Sequence, residues 1–192
     1  LAAVGLMYSQ VFDGVNDAGN MPDTANLTWG TGAADIAFSI MALVNVTNTA
    51  TARTVFSKYQ TNEIEYWFGV DSSDKLTLVL ADDSAALTIN RTSDAAITMA
   101  TPTWFCATYS GVGGASAADG ITLYQNSVLI ASTATNNGSY VAMEGTTSLG
   151  QIGTILGGTN YFEGLAHLIL MSAGQLSIAQ QFAIQKATNA FS

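Results

Sequence analysis

Apolar and polar residues alternate with a period of two in one stretch after another of this 192-residue chain. In FSIMALVNV (38–46), Phe38, Ile40 and Val44 share one face, because successive side chains of a strand point to opposite faces. Further stretches predicted to be strands are 54–59, 64–70, 75–82, 104–110, 121–133, 148–153 and 161–171. Turn-forming residues separate them, as in DSSD (71–74) and GVGGASAADG (111–120). Many short strands of this kind predict an antiparallel sheet protein.

Only the end of the chain has a helical pattern. Ser177 and Gln180 have the spacing of a capping box, which predicts a short helix after Ser177. Ile178, Phe182 and Ala183 are predicted to form its inward stripe. Because no long helices lie between the strands, the chain is predicted to be all-β: one domain over residues 1–192, an antiparallel two-sheet sandwich with a short C-terminal helix.

Charge and cysteine content exclude several classes of function. The chain has 5 Lys and Arg against 14 Asp and Glu, a net charge of -9, and such a surface repels nucleic acid and anionic membranes. Cys106 is the only cysteine, so no intrachain disulfide forms, and its apolar neighbours predict burial. No apolar run reaches the roughly 20 residues of a membrane-spanning helix. The start has no initiator Met and no basic segment, which favours a processed chain or a piece of a longer one.

Four stretches in order resemble the laminin-G-like branch of the concanavalin A-like lectin/glucanase superfamily. They are FDGVNDAGNMPD (12–23), FSIMALVNV followed by TVFSKY (38–59), WFCATYSG through ITLYQNSVLI (104–130) and FEGLAHLILMSAGQLS (162–177). The resemblance implies a jelly-roll sandwich over nearly the whole chain, with a hairpin turn at Asn126–Ser127. We expect Trp104 to fill the space between the sheets. The Gly/Ala-rich loops are similar to those of family members in bacteriophage structural proteins.

Glu63 and Glu65 form the only pair of acids that suggests catalysis. Glucanases of this superfamily place acids in a Glu-x-Asp-x-Glu pattern, and here Trp67 stands where the third carboxylate is expected. We therefore interpret the pair as a solvated strand face and the protein as not an enzyme, with a glycoside hydrolase as a less favoured alternative. His167, the single histidine, is interpreted as a sheet residue, and one His with one Cys assembles no triad or metal cluster.

Calcium is the one cofactor for which residues are present. Asp13, Asn16 and Asp17 in the opening loop supply the oxygen ligands that calcium prefers. The resemblance implies a second acid from the closing motif, where Glu163 is the remaining choice because 164–167 lacks an aspartate. The alternative is an Asx-turn, which uses the same side chains on the loop's own backbone. No other cofactor is predicted.

Exposed aromatic rings beside amides and carboxylates are the features expected of a sugar-binding site. The candidates are Trp67 with Glu65, then Tyr140, and then Tyr161 beside Asn160. The alternative is that each ring packs against its cross-strand neighbours.

Two main hypotheses about function follow. The first is a non-catalytic structural or recognition module on a virion exterior, as a capsid decoration or a tail or fibre component, with other virion proteins or copies of itself as partners. The second is a carbohydrate-binding, lectin-like module of a bacterial or viral adhesin that binds cell-surface glycans. Both predict a location on the virion surface or outside the cell.

Overall fold

The strands of the chain form two antiparallel sheets. The computed structural model describes residues 2–4, 9–47, 50–155 and 158–189, with side chains described for all of these except 2–4 and 189. The strands are β1 (Ala2–Val4), β2 (Gln10–Asp13), β3 (Gly19–Met21), β4 (Phe38–Val46), β5 (Arg53–Gln60), β6 (Glu63–Val70), β7 (Leu76–Asp82), β8 (Leu87–Ser93), β9 (Thr103–Tyr109), β10 (Ile121–Gln125), β11 (Val128–Leu129), β12 (Ser132–Thr135), β13 (Gly150–Ile152) and β14 (Glu163–Ala173); the helix is α1 (Ile178–Asn189).

Sheet I has the strand order β1-β14-β4-β9-β10-β11, with β2 also paired to β14, and sheet II has the order β12-β8-β7-β6-β5-β13-β3. The predicted all-β, two-sheet antiparallel architecture with a C-terminal helix is therefore confirmed. The long predicted strand 121–133 is in fact three strands, of which β10 and β11 belong to sheet I and β12 to sheet II. The hairpin turn at Asn126–Ser127 is also present, with φ of 51° and 59°. Positive φ at both central residues suits the right-handed twist of the flanking strands.

The inward faces of the two sheets pack into one hydrophobic core. Phe38 of β4 lies at its centre, with its ring centroid 5.4 Å from that of Trp29, 5.5 Å from Tyr66 and 5.9 Å from Tyr109. Rings at these separations gain from edge and stacking contacts as well as from burial. Phe38 is fully buried between the two sheets.

Helix α1 covers the outer face of sheet I. The predicted capping box is present, since the Ser177 N–H donates to Gln180 Oε1 at 2.8 Å and the Gln180 N–H donates to Ser177 Oγ at 3.3 Å. Ile184 of the helix packs against a second apolar cluster, which includes Trp104 and Cys106 of β9. The burial predicted for Cys106 is confirmed. No helix within the described ranges is long and apolar enough to cross a bilayer.

Two predictions about these apolar residues are wrong. Trp104 is buried, but under the helix rather than between the sheets, because Phe105 takes the inward position on β9. The predicted inward stripe of the helix faces outward, with Ile178 45% and Phe182 46% exposed. Gln181 is buried in its place and donates from Nε2 to the Leu176 carbonyl at 3.1 Å.

Three register shifts change the side-chain alternation close to residues of interest, and the first leaves Val55 as an extra residue of β5 beside Thr54. Lys58 pairs with Tyr66 and Tyr59 pairs with Ile64, so Glu65 is the extra residue of β6. In β14 the register shifts between Ala166 and Leu168, so His167 is the extra residue there, and its Nδ1 lies 2.6 Å from Ser9 Oγ. A bulge locally breaks the two-residue period, so the alternation seen in the sequence does not apply at Glu65 or His167.

Candidate functional site

The outer face of sheet II is polar and carries no charge at its paired positions. Directly paired residues of neighbouring strands point to the same side of a sheet. One row across the face therefore consists of Asn20, Gln151, Ser57, Trp67, Val79, Asn90 and Thr135. The next row consists of Thr54, Gly69, Thr77, Thr92 and Thr133. The solvent-accessible hydroxyl and amide groups of these rows belong to Asn20, Asn90, Thr92, Thr133 and Thr135, each able to donate and accept hydrogen bonds, whereas Gln151, Ser57, Thr54 and Thr77 are buried.

Trp67 is half-buried at the middle of this face, and its position is fixed by a hydrogen bond. Its Nε1–H donates to Thr54 Oγ1 at 2.9 Å, and the Thr54 backbone N–H donates to the Asn160 carbonyl at 2.9 Å. Two predicted sugar-binding residues, Trp67 and Asn160, are thus linked through Thr54. Tyr161 is half-buried next in the chain, with its hydroxyl against Gly158. The ring of Trp67 keeps part of its surface open to solvent beside Val79 and Asn90.

Acidic residues lie at the rim of the face rather than on it. Asp94 Oδ1 accepts a hydrogen bond from Thr133 Oγ1 at 2.7 Å. Asp83 lies close enough to Tyr59 to contribute, after burial, to raising the pKa of that phenol. Arg53 contacts Glu163 at 3.2 Å and Lys58 is fully buried, so neither cation is available to the face.

Glu65 does not lie on the solvated face that the sequence predicts. The bulge places its carboxylate in the interior, where the side chain is fully buried. The carboxylate lies 2.8 Å from Lys58 Nζ, and both the N–H and the Oγ1 of Thr146 donate to the same Oε1 at 2.8 Å. Glu63 instead remains half-exposed and accepts from Thr147 Oγ1 at 2.8 Å. Glu65 therefore has no surface to offer a sugar.

Lys58 joins two carboxylates at this point. Its ammonium lies 2.7 Å from Asp23 Oδ1 and donates to Thr28 Oγ1 at 2.9 Å, in addition to the contact with Glu65. Burial raises the pKa of Glu65, and the hydrogen bond and charge of Lys58 partly oppose that shift. Sequence reasoning missed this cluster. The available signal was a lysine two residues after Phe56, on the apolar face of β5.

Tyr140 is likewise buried, at 2% exposure, so it lacks the exposed ring that the sugar-binding prediction required. Its hydroxyl donates to Asp35 Oδ2 at 3.1 Å, and the Tyr109 hydroxyl donates to the same oxygen at 2.6 Å. The Met143 backbone N–H donates to Asp35 Oδ1 at 2.7 Å. Asp35 therefore organises the loops at this end of the sandwich. Burial raises its pKa against the lowering effect of these donors, and nearby Asp82 adds to the rise.

This raised pKa predicts a pH-dependent contribution to stability. An acid whose pKa is higher in the folded state binds its proton more tightly when folded, so stability rises as the pH falls through the folded pKa. We expect the free energy of unfolding of the wild type, relative to Asp35→Asn, to increase as the pH is lowered from 7 and to level off below the ordinary value of 3.8. Urea titrations of both proteins at a series of pH values measure the difference. A difference that is constant, or that falls with decreasing pH, would contradict the prediction.

The opening loop uses its acidic side chains on its own backbone. Asp13 Oδ1 accepts the N–H of Val15 at 2.8 Å, and Asp17 Oδ2 accepts the N–H of Asp13 at 2.9 Å. This is the Asx-turn that the sequence analysis gave as the alternative to calcium. Glu163 pairs with Asp13 across β2 and β14, as the calcium hypothesis required, yet its carboxylate contacts Arg53. Within the described residues, no group of three or more His, Cys, Asp or Glu is placed to hold a metal ion.

No protein-family model matches the sequence, and no curated protein matches it. Solved structures share its fold. One is the Ruminococcus gnavus IT-sialidase CBM40 bound to α2,3-sialyllactose. The two structures align over 94% of this chain and 99% of that one, with 11% identity and a TM-score of 0.63. It is similar to domain 4 of AbnA, a GH43 extracellular arabinanase from Geobacillus stearothermophilus, in complex with arabinotriose, at 16% identity and a TM-score of 0.60, covering 92% of this chain and 75% of that one.

A third similar structure is the binding domain of botulinum neurotoxin serotype G, at 9% identity and a TM-score of 0.63, covering 95% of this chain and 47% of that one. At these identities the likeness shows the β-sandwich fold and no more. Of these three neighbours, one is named as a CBM40, one as a binding domain and one as a domain in complex with arabinotriose.

Proposed function

We propose that this protein binds neutral carbohydrate on the outer face of sheet II. The observation that supports this most is the partly exposed ring of Trp67, which has the uncharged hydrogen-bonding groups of Asn90, Thr92, Thr133 and Thr135 on its β8 and β12 side. An aromatic ring with hydroxyls and amides around it suits the alternating apolar and polar surfaces of a sugar. The neighbours named for complexes with sialyllactose and arabinotriose support carbohydrate binding through their fold, while the neutral class of ligand rests on the charges of this chain.

These neighbours favour the lectin-like hypothesis over the hypothesis of a virion module. The virion location, the laminin-G-like branch and an extracellular or surface setting stay predictions of the sequence. A sugar-binding face and a virion location are compatible, since an adhesin on a particle would have both.

Neutral glycans fit the electrostatics of the face better than acidic ones. An acidic sugar brings a carboxylate, and its binding site needs a cation or several N–H donors to replace the lost hydration. The rows described above contain no Lys or Arg, Asp83 and Asp94 lie at the rim, and the whole chain carries a net charge of -9. We therefore expect arabino-oligosaccharides and other neutral glycans to bind in preference to sialylated ones.

Replacing Trp67 with alanine tests the proposal directly. We expect binding of a neutral glycan identified on an array to weaken at least about tenfold, since a central aromatic contact commonly contributes about 2 kcal/mol or more. Isothermal titration of the wild type and the variant measures the change. Phe182→Ala is the matched control, because this half-exposed ring lies on the helix that covers the other sheet.

Two results would overturn the proposal. One is full affinity in the Trp67→Ala variant for every glycan that the wild type binds. The other is a wild type that binds no neutral glycan on the array. Tighter binding of sialyllactose than of lactose would leave the face in place but contradict the neutral class of ligand.

A further inference from the structure

Lys58 occupies a position in which lysine is rarely found. Its side chain is fully buried, and so is that of Glu65, with which it pairs at 2.8 Å. Lysine and glutamate are almost never fully buried without strong compensation, because removing their charges from water is unfavourable. The interior therefore holds a charged pair where apolar packing would be more stable.

The same ammonium nitrogen contacts a second acid. Lys58 Nζ lies 2.7 Å from Asp23 Oδ1, so an amine and a carboxyl group from distant parts of the chain are in direct contact. Glu65 Oε1 contacts this nitrogen as well, whereas Glu65 Oε2 is buried with no hydrogen-bond partner among the described residues. Lys58 Nζ thus contacts both a carboxyl electrophile, Asp23, and a buried acid able to transfer protons, Glu65.

We propose that Lys58 and Asp23 are joined by a side-chain amide bond, whose formation Glu65 promotes by proton transfer. Glu65 accepts a proton from the Lys58 ammonium, and the freed Nζ attacks Cγ of Asp23. The bond between Cγ and one carboxyl oxygen then breaks. The nitrogen loses two protons in all, and Glu65 passes them to that oxygen, which leaves as water. An ammonium and a carboxylate become one amide and one water, so the step needs no oxidant, reductant or cofactor.

The surroundings favour this condensation. It removes an ammonium that is fully buried and has lost its hydration. The side chain of Asp23 is 32% exposed, so the departing water has a route to solvent on that side. Thr146 holds Glu65 with two hydrogen bonds of 2.8 Å, which keeps the proton-transferring group beside the nitrogen. The chain has a single cysteine, and the amide would supply the covalent link that disulfides give other sandwiches.

The intact mass of the purified wild type tests this inference without any variant. We expect a mass lower than that of the sequence by one water molecule, and a tryptic digest in which the peptides containing Asp23 and Lys58 stay joined. A folded wild type with the full mass of its sequence would overturn the proposal, and would show that Lys58 and Asp23 form only an ion pair. A mass deficit with separate Asp23 and Lys58 peptides would overturn it too, since the water would then have been lost elsewhere.

Variants assign the roles. Lys58→Arg, Asp23→Ala and Glu65→Gln are each expected to show the full mass of their sequence, whereas Lys186→Arg, at an exposed position of the helix, keeps the deficit. Asp23→Asn provides a sharper test, because it would lose ammonia instead of water and give a product of the same mass as the cross-linked wild type. A deficit that persists in Glu65→Gln would show that Glu65 does not transfer the proton.

Discussion

Replacing Lys58 with methionine is expected to lower the free energy of unfolding by about 3–5 kcal/mol, because it leaves the buried carboxylate of Glu65 without the nitrogen that contacts its Oε1 and also removes the amide link proposed above. Methionine keeps most of the apolar stem of lysine, so little of the loss comes from packing. Chemical denaturation at neutral pH measures the change. Lys186→Met, which alters an exposed lysine of the helix, is the control and should change stability by less than about 0.5 kcal/mol.

A second substitution separates the charge effect from other consequences of losing Lys58. We expect Lys58→Met combined with Glu65→Leu to be more stable than Lys58→Met alone, since the double variant buries no unpaired charge. Neither variant can form the amide proposed above, so the comparison isolates the carboxylate. A double variant no more stable than the single one, or a Lys58→Met protein as stable as the wild type, would contradict this account.

Phe38→Ala is expected to destabilise the protein by about 3–5 kcal/mol, the usual effect of truncating a large buried ring. Phe38 contacts the rings of Trp29, Tyr66 and Tyr109 and is fully buried between the sheets. Its removal leaves a cavity that strands of two different sheets would have to close. Thermal or urea unfolding gives the difference.

The matched control for this prediction is Phe182→Ala on α1. Phe182 is 46% exposed, and alanine is the better helix former, so we expect a change of less than about 1 kcal/mol. The helical pattern in the sequence assigned Phe182 to the inward stripe, and that assignment predicts a large loss instead. Equal losses at Phe38 and Phe182 would favour the sequence pattern over the structure.

The architecture could be predicted from the sequence because each strand shows its two faces through alternation. Alternation does not say which face points inward when both are apolar, and this explains the error at Trp104. Sheet I is apolar on both sides, since one side meets the core and the other meets α1. The helix stripe failed for a similar reason: local spacing cannot tell how a short terminal helix is rotated against the sheet it covers.

The candidate site was predictable only in part. Trp67 and Asn160 could be singled out as residues of a useful chemical type, but the row that surrounds Trp67 depends on pairing between strands far apart in sequence. Glu65 was misplaced because one extra residue in β6 ended the two-residue period there. Lys58 could have indicated the buried position of Glu65, since a cation on an apolar face requires an acid nearby.

Helix α1 on sheet I carries an exposed lysine through which the protein can be immobilised. Of the protein's three lysines, Lys58 is buried, Lys75 is half-buried in a turn and Lys186 is exposed on α1. Among the lysines, amine-reactive coupling to a sensor chip or bead should therefore favour Lys186 on the helix. Molecules immobilised in this way would display Trp67 and its row toward the mobile phase, in a common orientation.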